Sequence, residues 1–384
     1  MNHKELLFGF LRSVVCDGQI TEEMKNACAE ETLAEVYTLA AHHDLAHLVG
    51  QAISKLALPE TEAAKKCKNA AMVAFYRYTQ IRYEYERICD LLEAEKIPFI
   101  PLKGSVLRDC YPEPWMRTSC DIDILVREDV LESTANVLAE NLGYRCSQKT
   151  GHDISLFSAG GVHLELHYAA MDEEQLPETQ EILDTIWQDV RPREGKTYWQ
   201  VMSDEMFYFY HVTHMAKHLE CGGCGIRPVL DLWLLNHRVP HTRENREKLL
   251  ALGGMQAFAA AMEKLADVWF SQENTDILTE KLEGFVLGKL YGDAKSMAVV
   301  KQTKQGSKMK FIMSRLFLPY SAMKFRYPVL QKHKWLTPVY QGIRWGQMIG
   351  KGKTGKYWEE LKTAAAISPE EISTTAELMK YLGL

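Results

Sequence analysis

Apolar positions recur at three- and four-residue steps through the first quarter of the chain and take up two-residue alternation only in the second. Leu6, Leu7, Phe10, Leu11 and Val14 keep an i, i+3, i+4 spacing, which marks one face of a helix. Thr21 followed by Glu22 and Glu23 suits a helix start. Leu33, Val36, Tyr37 and Ala40 give a further stripe, and Leu58-Pro59 breaks the pattern. One long helix is predicted from about Glu62 to Glu95, with Val73, Tyr76, Ile81, Tyr85, Ile88, Leu91 and Leu92 as its buried side. His42, His43 and His47 fall near the preceding helix ends, where a structural role outweighs a catalytic one.

The period changes after residue 96. Ile97-Pro-Phe-Ile-Pro-Leu102 reads as a short strand, and a short helix is expected over Ser105 to Cys110. Cys120 to Val126 is a second strand, and Glu128 to Asn141 a helix stopped by Gly143. Tyr144-Arg-Cys is extended. Ile154 to Phe157, the turn Ala159-Gly160-Gly161 and Val162 to Tyr168 form a hairpin. Helices return after Ser203, with Glu205 to Leu219 and Arg227 to His237 the clearest. The expected architecture is α+β. A helical N-terminal region over 1–95 leads to a small mixed sheet with flanking helices over 96–200, and a helical C-terminal domain follows over 201–384.

The chemistry is concentrated in the second quarter. Alternation along a strand sends Asp121 and Asp123 to one face and Ile122 and Ile124 to the other. Paired carboxylates repel, and a divalent cation between them offsets that cost. In Val162-His163-Leu-Glu165-Leu-His167-Tyr168 the residues His163, Glu165 and His167 share a face, so Glu165 can supply a third carboxylate if this strand neighbours the first. Upstream, Gly104 lets backbone approach a phosphate, Ser105 offers a hydroxyl, and Lys103 or Arg117 adds positive charge. Three carboxylates around one or two magnesium ions suit phosphoryl or nucleotidyl transfer.

The order Gly104-Ser105, Asp121-Ile-Asp123-Ile, Glu165 resembles the nucleotidyltransferases of the polymerase β superfamily. More narrowly, Leu102-Lys-Gly-x-x-Leu107, Tyr111, Arg117-x-x-x-Asp121-Ile-Asp123 and Glu165-Leu-His167 are similar to a bacterial group of uncharacterised nucleotidyltransferases. The likeness extends to His214-x-x-x-His218 and Arg227-x-x-x-Asp231 and covers about residues 30 to 270. The gap between Gly-Ser and Asp121 is longer than in many superfamily members, though it suits this group. The resemblance implies Asp121, Asp123 and Glu165 as metal ligands, with magnesium or manganese, and Gly104 and Ser105 as the triphosphate cradle. It supplies no acceptor.

A second constellation, His211, His214, His218, Cys221 and Cys224, allows a zinc site. His167, His214, His218, Arg227 and Asp231 can instead form a polar wall beside the active site; the bland alternative, of equal weight, is helix-to-helix hydrogen bonding and an Arg–Asp pair at i, i+4.

Composition narrows the setting. The 384 residues are 46% hydrophobic and 25% charged with a net charge of −6, which excludes a uniformly basic nucleic-acid coat. Nine scattered cysteines do not form a disulfide framework, no cleavable leader is evident, and no apolar run spans a bilayer, so a cytoplasmic location is expected. From Asp293 to Glu359 acidic residues are absent, while fourteen cations from Lys295 to Lys356 interleave with aromatics such as Phe311, Tyr320, Trp335 and Trp345. Such a segment suits a polyanion; its bland alternative is a solvated face on helices whose aromatics pack inward. The expected activity is transfer of a nucleoside monophosphate from a nucleoside triphosphate, ATP first among them, to an acceptor hydroxyl, with release of pyrophosphate. The acceptor is a small molecule, a protein side chain or an RNA end. The alternative is a nucleotide-binding regulatory or interaction module on the same fold, without turnover.

Overall fold

The computed structural model describes residues 1–56, 58–149, 153–171, 177–239, 243–288, 294–305, 313–314, 316–350, 355, 358, 362–363 and 366–384. The chain divides into two compact units, one of residues 1–215 and 225–280, the other of residues 216–224 and 281–384.

The first unit begins with α1 (His3–Val15), α2 (Glu22–Asn26), α3 (Glu30–His42), α4 (Ala46–Ser54) and the long α5 (Glu62–Ala94). Asn2 and Glu5 close a capping box at the start of α1, and Thr21 and Thr61 cap α2 and α5. The apolar stripe of α1 is buried as its spacing requires. The first half of α5 departs from the expected pattern. Val73 and Tyr76 are exposed, at 43% and 64%, and the buried line runs through Cys67, Ala74, Ile81 and Ile88. The reason is close approach. A Cβ on Gly50 of α4 would fall 2.1 Å from the Cys67 carbonyl oxygen, so small residues must face α4 and the large aromatics turn outward.

A five-stranded sheet follows, with β1 (Phe99–Pro101), β2 (Asp121–Val126), β3 (Arg145–Lys149), β4 (Asp153–Phe157) and β5 (His163–His167) in the order β1-β2-β5-β4-β3. The central pair, β2 with β5, is parallel, and the other pairings are antiparallel. The short helix α6 (Gly104–Leu107) runs on into a 3₁₀ turn over Arg108–Cys110, and α7 (Leu131–Leu142) ends at Gly143 with φ 72°. One face of the sheet is dry. Ile122, Ile124 and Val126 of β2 and Leu164 and Leu166 of β5 pack with Ile88 and Leu92 of α5 and Leu138 of α7. The α+β expectation is therefore met, and so is the condition that the strands of Asp121 and Glu165 be neighbours; their parallel direction is a finding of the structure.

After α8 (Pro177–Leu183), α9 (Ile186–Asp189) and the two-residue strands β6 (Arg191–Pro192) and β7 (Gln200–Val201), helices return as α10 (Asp204–Glu220), α11 (Ile226–Arg238), α12 (Arg243–Leu252) and α13 (Gln256–Phe270).

In the second unit, Ala298 and Val299 of the helix Ala294–Gln305 pack with Ile367 and Ile372. The basic segment is partly described. Lys308, Lys310, Phe311, Arg315, Lys351, Lys353 and Lys356 lie outside the described residues. Among the described ones, Phe317 and Trp335 are exposed, at 54% and 75%, so these aromatics do not pack inward as the bland reading of the segment supposed. Among the described residues no helix is long and apolar enough to cross a membrane.

Truncating a residue of the dry face tests this core. Leu166→Ala, a fully buried site, is expected to destabilise by about 3 kcal/mol, whereas Tyr76→Ala should stay within about 0.5 kcal/mol of wild type in urea unfolding. Equal losses would contradict the packing described.

Candidate active site

The face of the sheet opposite the dry core carries the carboxylates. The parallel register sets Asp121 against His163, Asp123 against Glu165 and Leu125 against His167. Strand β4 extends the row, with Phe157 beside His163, Ser155 beside Glu165 and Asp153 beside His167. Two groups of ligand atoms converge, Asp121 with His163 and Glu165, and Asp123 with Glu165 and His167, each group within 4.8 Å. Glu165 belongs to both.

Charge in this row is only partly balanced. Lys103 Nζ donates to Asp123 Oδ1 at 2.7 Å, and His167 Nε2 lies 2.9 Å from the same oxygen. His167 Nε2 is also 3.4 Å from Glu165 Oε2. Both neighbours are acceptors, so this nitrogen carries a proton. Burial opposes charge on Asp123, but Lys103 and His167 outweigh it and hold the carboxyl well below the usual range. The hydrogen bond from His167 likewise lowers Glu165 against the effect of burial. Burial works against an imidazolium at His167, yet its bonds to the two carboxylates raise its pKa overall. Burial also works against the Lys103 ammonium, and Asp123 more than compensates. Asp121 is the exception, raised by burial and then by repulsion from Asp123. Asp121 therefore lacks the close stabilisation that Lys103 and His167 give Asp123. Three carboxylates offer hard oxygen donors that suit magnesium, and the flanking imidazoles are compatible with manganese.

The approach to β2 is a tight turn. Ser105 N–H donates to the Leu102 carbonyl at 3.2 Å, and Lys103 between them has φ 46° and ψ −121°. These angles are those of the first central position of a type II′ turn, a place that favours glycine. The Leu102 N–H bonds the Asp123 carbonyl at 3.0 Å, which ties the turn to the acidic strand. Gly104 is needed for close approach, since a Cβ there would come within 3.2 Å of Ser119 Cβ. Gly104 and Ser105 are both buried.

The structure separates the remaining candidates. Arg117 faces Asp231 rather than the carboxylate row, with Nε donating to both carboxylate oxygens at 2.8 and 3.0 Å. Tyr111 Oη donates to the same Asp231 at 2.8 Å. Asp231 is fully buried, so this triad locks α11 to the segment before β2. The ion-pair partner of Arg227 is Asp44, at 3.4 Å, rather than Asp231. His211 Nε2 sits 3.1 Å from the Pro228 carbonyl oxygen, and burial lowers its basicity. The His214 ring lies 5.9 Å from that of Tyr210. His218, Cys221 and Cys224 belong to the other unit.

Two residues join the site that the sequence pattern did not mark, Asp153 and Tyr210. Register brings Asp153 beside His167, as it brings the already marked His163 beside Asp121, and alternation along the hairpin is the signal that could have found it. Tyr210 on α10 is 1% exposed, its hydroxyl has no hydrogen-bond partner among the described residues, and it feels the charges of Lys103, Asp123, Glu165 and Asp121. Burial keeps this phenol protonated. It stands in an aromatic run, Phe207-Tyr-Phe-Tyr210, that reads from sequence as plain core.

A mixed sheet with an aspartate pair on one strand and a glutamate on the adjoining parallel strand, fed by a Gly–Ser turn, fits the nucleotidyltransferases of the polymerase β superfamily. The chain belongs to the uncharacterised nucleotidyltransferase family, whose model matches residues 29–271. No curated protein matches it. Among solved structures it is similar to the antibiotic-resistance factor ANT(2″)-Ia in solution, at 14% identity over 49% of this chain and 97% of that one, with a TM-score of 0.34. The same factor in complex with adenylyl-2″-tobramycin gives 14% identity, 50% and 98% coverage and a TM-score of 0.26. An antigenic nucleotidyltransferase-like protein from Paracoccidioides brasiliensis gives 14%, 48% and 91%, and 0.29. These superpositions are loose, and family membership rests on the sequence match.

The turn geometry is open to test. Lys103→Ala and Lys103→Gly should each destabilise the protein by about 3 kcal/mol, because the buried Asp123 carboxylate loses one of its two partners. The glycine variant should be the more stable of the two by about 1 kcal/mol, since it relieves a left-handed backbone. Chemical denaturation in which alanine is the better tolerated would contradict the turn assignment.

Proposed function

We propose that this protein is a metal-dependent enzyme that moves a nucleoside monophosphate from a nucleoside triphosphate, ATP first among them, to an acceptor hydroxyl. The observation that carries the reading is the parallel register that brings Asp123 against Glu165 with Asp121 two residues away. A magnesium or manganese ion held by Asp121, Asp123 and Glu165 would neutralise charge on the triphosphate oxygens and orient the α-phosphorus. The chain's own groups do the rest. Gly104 and Ser105 present backbone and hydroxyl to the triphosphate. Lys103, which pairs with Asp123, would also offer its positive charge to the triphosphate. Glu165 accepts the proton of the attacking hydroxyl while His167 steadies its carboxylate. The acceptor oxygen forms a bond to the α-phosphorus, the bond from that phosphorus to the bridging oxygen breaks, and pyrophosphate leaves with the electron pair. Tyr210 contributes a buried hydroxyl that is free, among the described residues, to donate to a ligand oxygen.

Two experiments test this. Incubation with α-labelled triphosphates, magnesium and a cell extract should give labelled product, and Asp121→Ala/Asp123→Ala should lose at least about a hundredfold of the rate. Equal labelling by both proteins would remove the reading, and nucleotide binding without turnover would mark a regulatory module instead. Tyr210→Phe should leave stability unchanged, because its hydroxyl has no partner to lose, while raising the KM for nucleotide about three- to tenfold. An unchanged KM would take Tyr210 out of the site.

A further inference from the structure

Close to the Gly104–Ser105 turn is a cavity of about 310 Å³ whose wall contains none of the three carboxylates and neither turn residue. It is enclosed by α3, α4 and α5, by the segment from Arg108 to Cys120, and by the start of α11. Its lining includes Cys120, the residue next to Asp121.

The charge of this wall is one-sided. Lys66, Arg77, Arg108, Arg117 and Arg227 all line it, against the single carboxylate of Asp44. Arg117 is neutralised by Asp231. The Asp44 side chain is 63% exposed and 3.4 Å from Arg227, a weak and solvent-screened partner. Arg108 is 6% exposed and has no ion pair among the described residues. Its Nε donates to the Gly104 carbonyl at 2.9 Å, one terminal nitrogen donates to Ser119 Oγ at 3.2 Å, and its guanidinium carbon lies 5.6 Å from the Tyr78 ring centroid. Arg227 keeps a buried Nε–H without a hydrogen-bond partner among the described residues. Burial, and after it repulsion from Arg117, lowers the basicity of Arg227. Burial lowers Arg108 too, with Arg117 opposing its charge. Buried like charges around a void are costly unless an anion fills it.

We infer that this cavity holds the phosphate group of a second small-molecule ligand, bound alongside the nucleotide, and that the acceptor of the transfer reaction is a phosphate ester. The volume suits a small metabolite. The wall reaches the neighbour of Asp121, so a molecule anchored by its phosphate can extend a hydroxyl toward the carboxylate row. A polycationic acceptor would meet an excess of positive charge there. The α3–α5 helices thus become the acceptor-selecting part of the fold, through Lys66 and Arg77 at the exposed rim. The role as acceptor site rests on the transferase reading given above.

Calorimetric titration of the full-length protein decides the matter. Inorganic phosphate, glucose 6-phosphate and spermine are each added with and without magnesium and a non-hydrolysable ATP analogue. Phosphate and glucose 6-phosphate should bind in the presence of saturating analogue, and spermine should not. Arg77→Glu, at an exposed position, should weaken phosphate binding at least about tenfold with the analogue's affinity unchanged, and Arg227→Gln should weaken it as well. The inference is overturned if neither phosphate probe binds, if both variants bind like wild type, or if the analogue displaces phosphate, since the cavity would then serve only the triphosphate tail. Analogue binding without phosphate binding leaves the transferase reading standing and removes the acceptor pocket. Phosphate binding without analogue binding keeps the anion site and removes the transferase reading.

Discussion

The parallel pairing of β2 with β5 is the constraint on which the molecule depends. It places two strands of opposite-face chemistry in phase, so that Ile122, Ile124, Leu164 and Leu166 go into the dry core while Asp121, Asp123 and Glu165 line the other face. A slip of one residue would bury the carboxylates and expose the core. The apolar side therefore fixes the acidic side. Burial of four branched side chains, each worth about 1.5–3 kcal/mol, dwarfs the repulsion between neighbouring carboxylates across a partly solvated face.

That repulsion is not fully relieved by the protein itself. Lys103 and His167 both converge on Asp123 Oδ1, which leaves Asp121 without a comparable partner. Lys103 reaches its place from a backbone conformation that glycine would adopt more easily. A strained turn, a half-buried ammonium and a carboxylate without a comparable partner among the described residues occur within one short stretch. Such a concentration of strain and charge supports the proposed reading of this face as a site for charged ligands.

Much of this was legible in the sequence, because period-two alternation and the Gly-Ser to Asp-x-Asp order are local signals. The strands, the hairpin and the capped helices follow from them. What was not legible depends on tertiary contact. The outward turn of Val73 and Tyr76 follows from the tight contact of Gly50 with Cys67, which no periodicity reveals. Arg117 reads as a phosphate ligand from its position, yet it pairs with Asp231, 114 residues further on. Tyr210 is indistinguishable from its aromatic neighbours until its hydroxyl is found unpartnered. Nor does any local signal gather Lys66 and Arg77 of α5 with Arg108 and Arg227 around one cavity.

The central claim is that Asp121, Asp123 and Glu165 hold a divalent ion, and manganese electron paramagnetic resonance reads that directly. Titration of the protein with manganese in the presence of a non-hydrolysable ATP analogue should show saturable loss of the free-ion signal at a site that Asp123→Asn removes, with the variant still folded. Equal manganese binding by wild type and Asp123→Asn, or none by either, would contradict it.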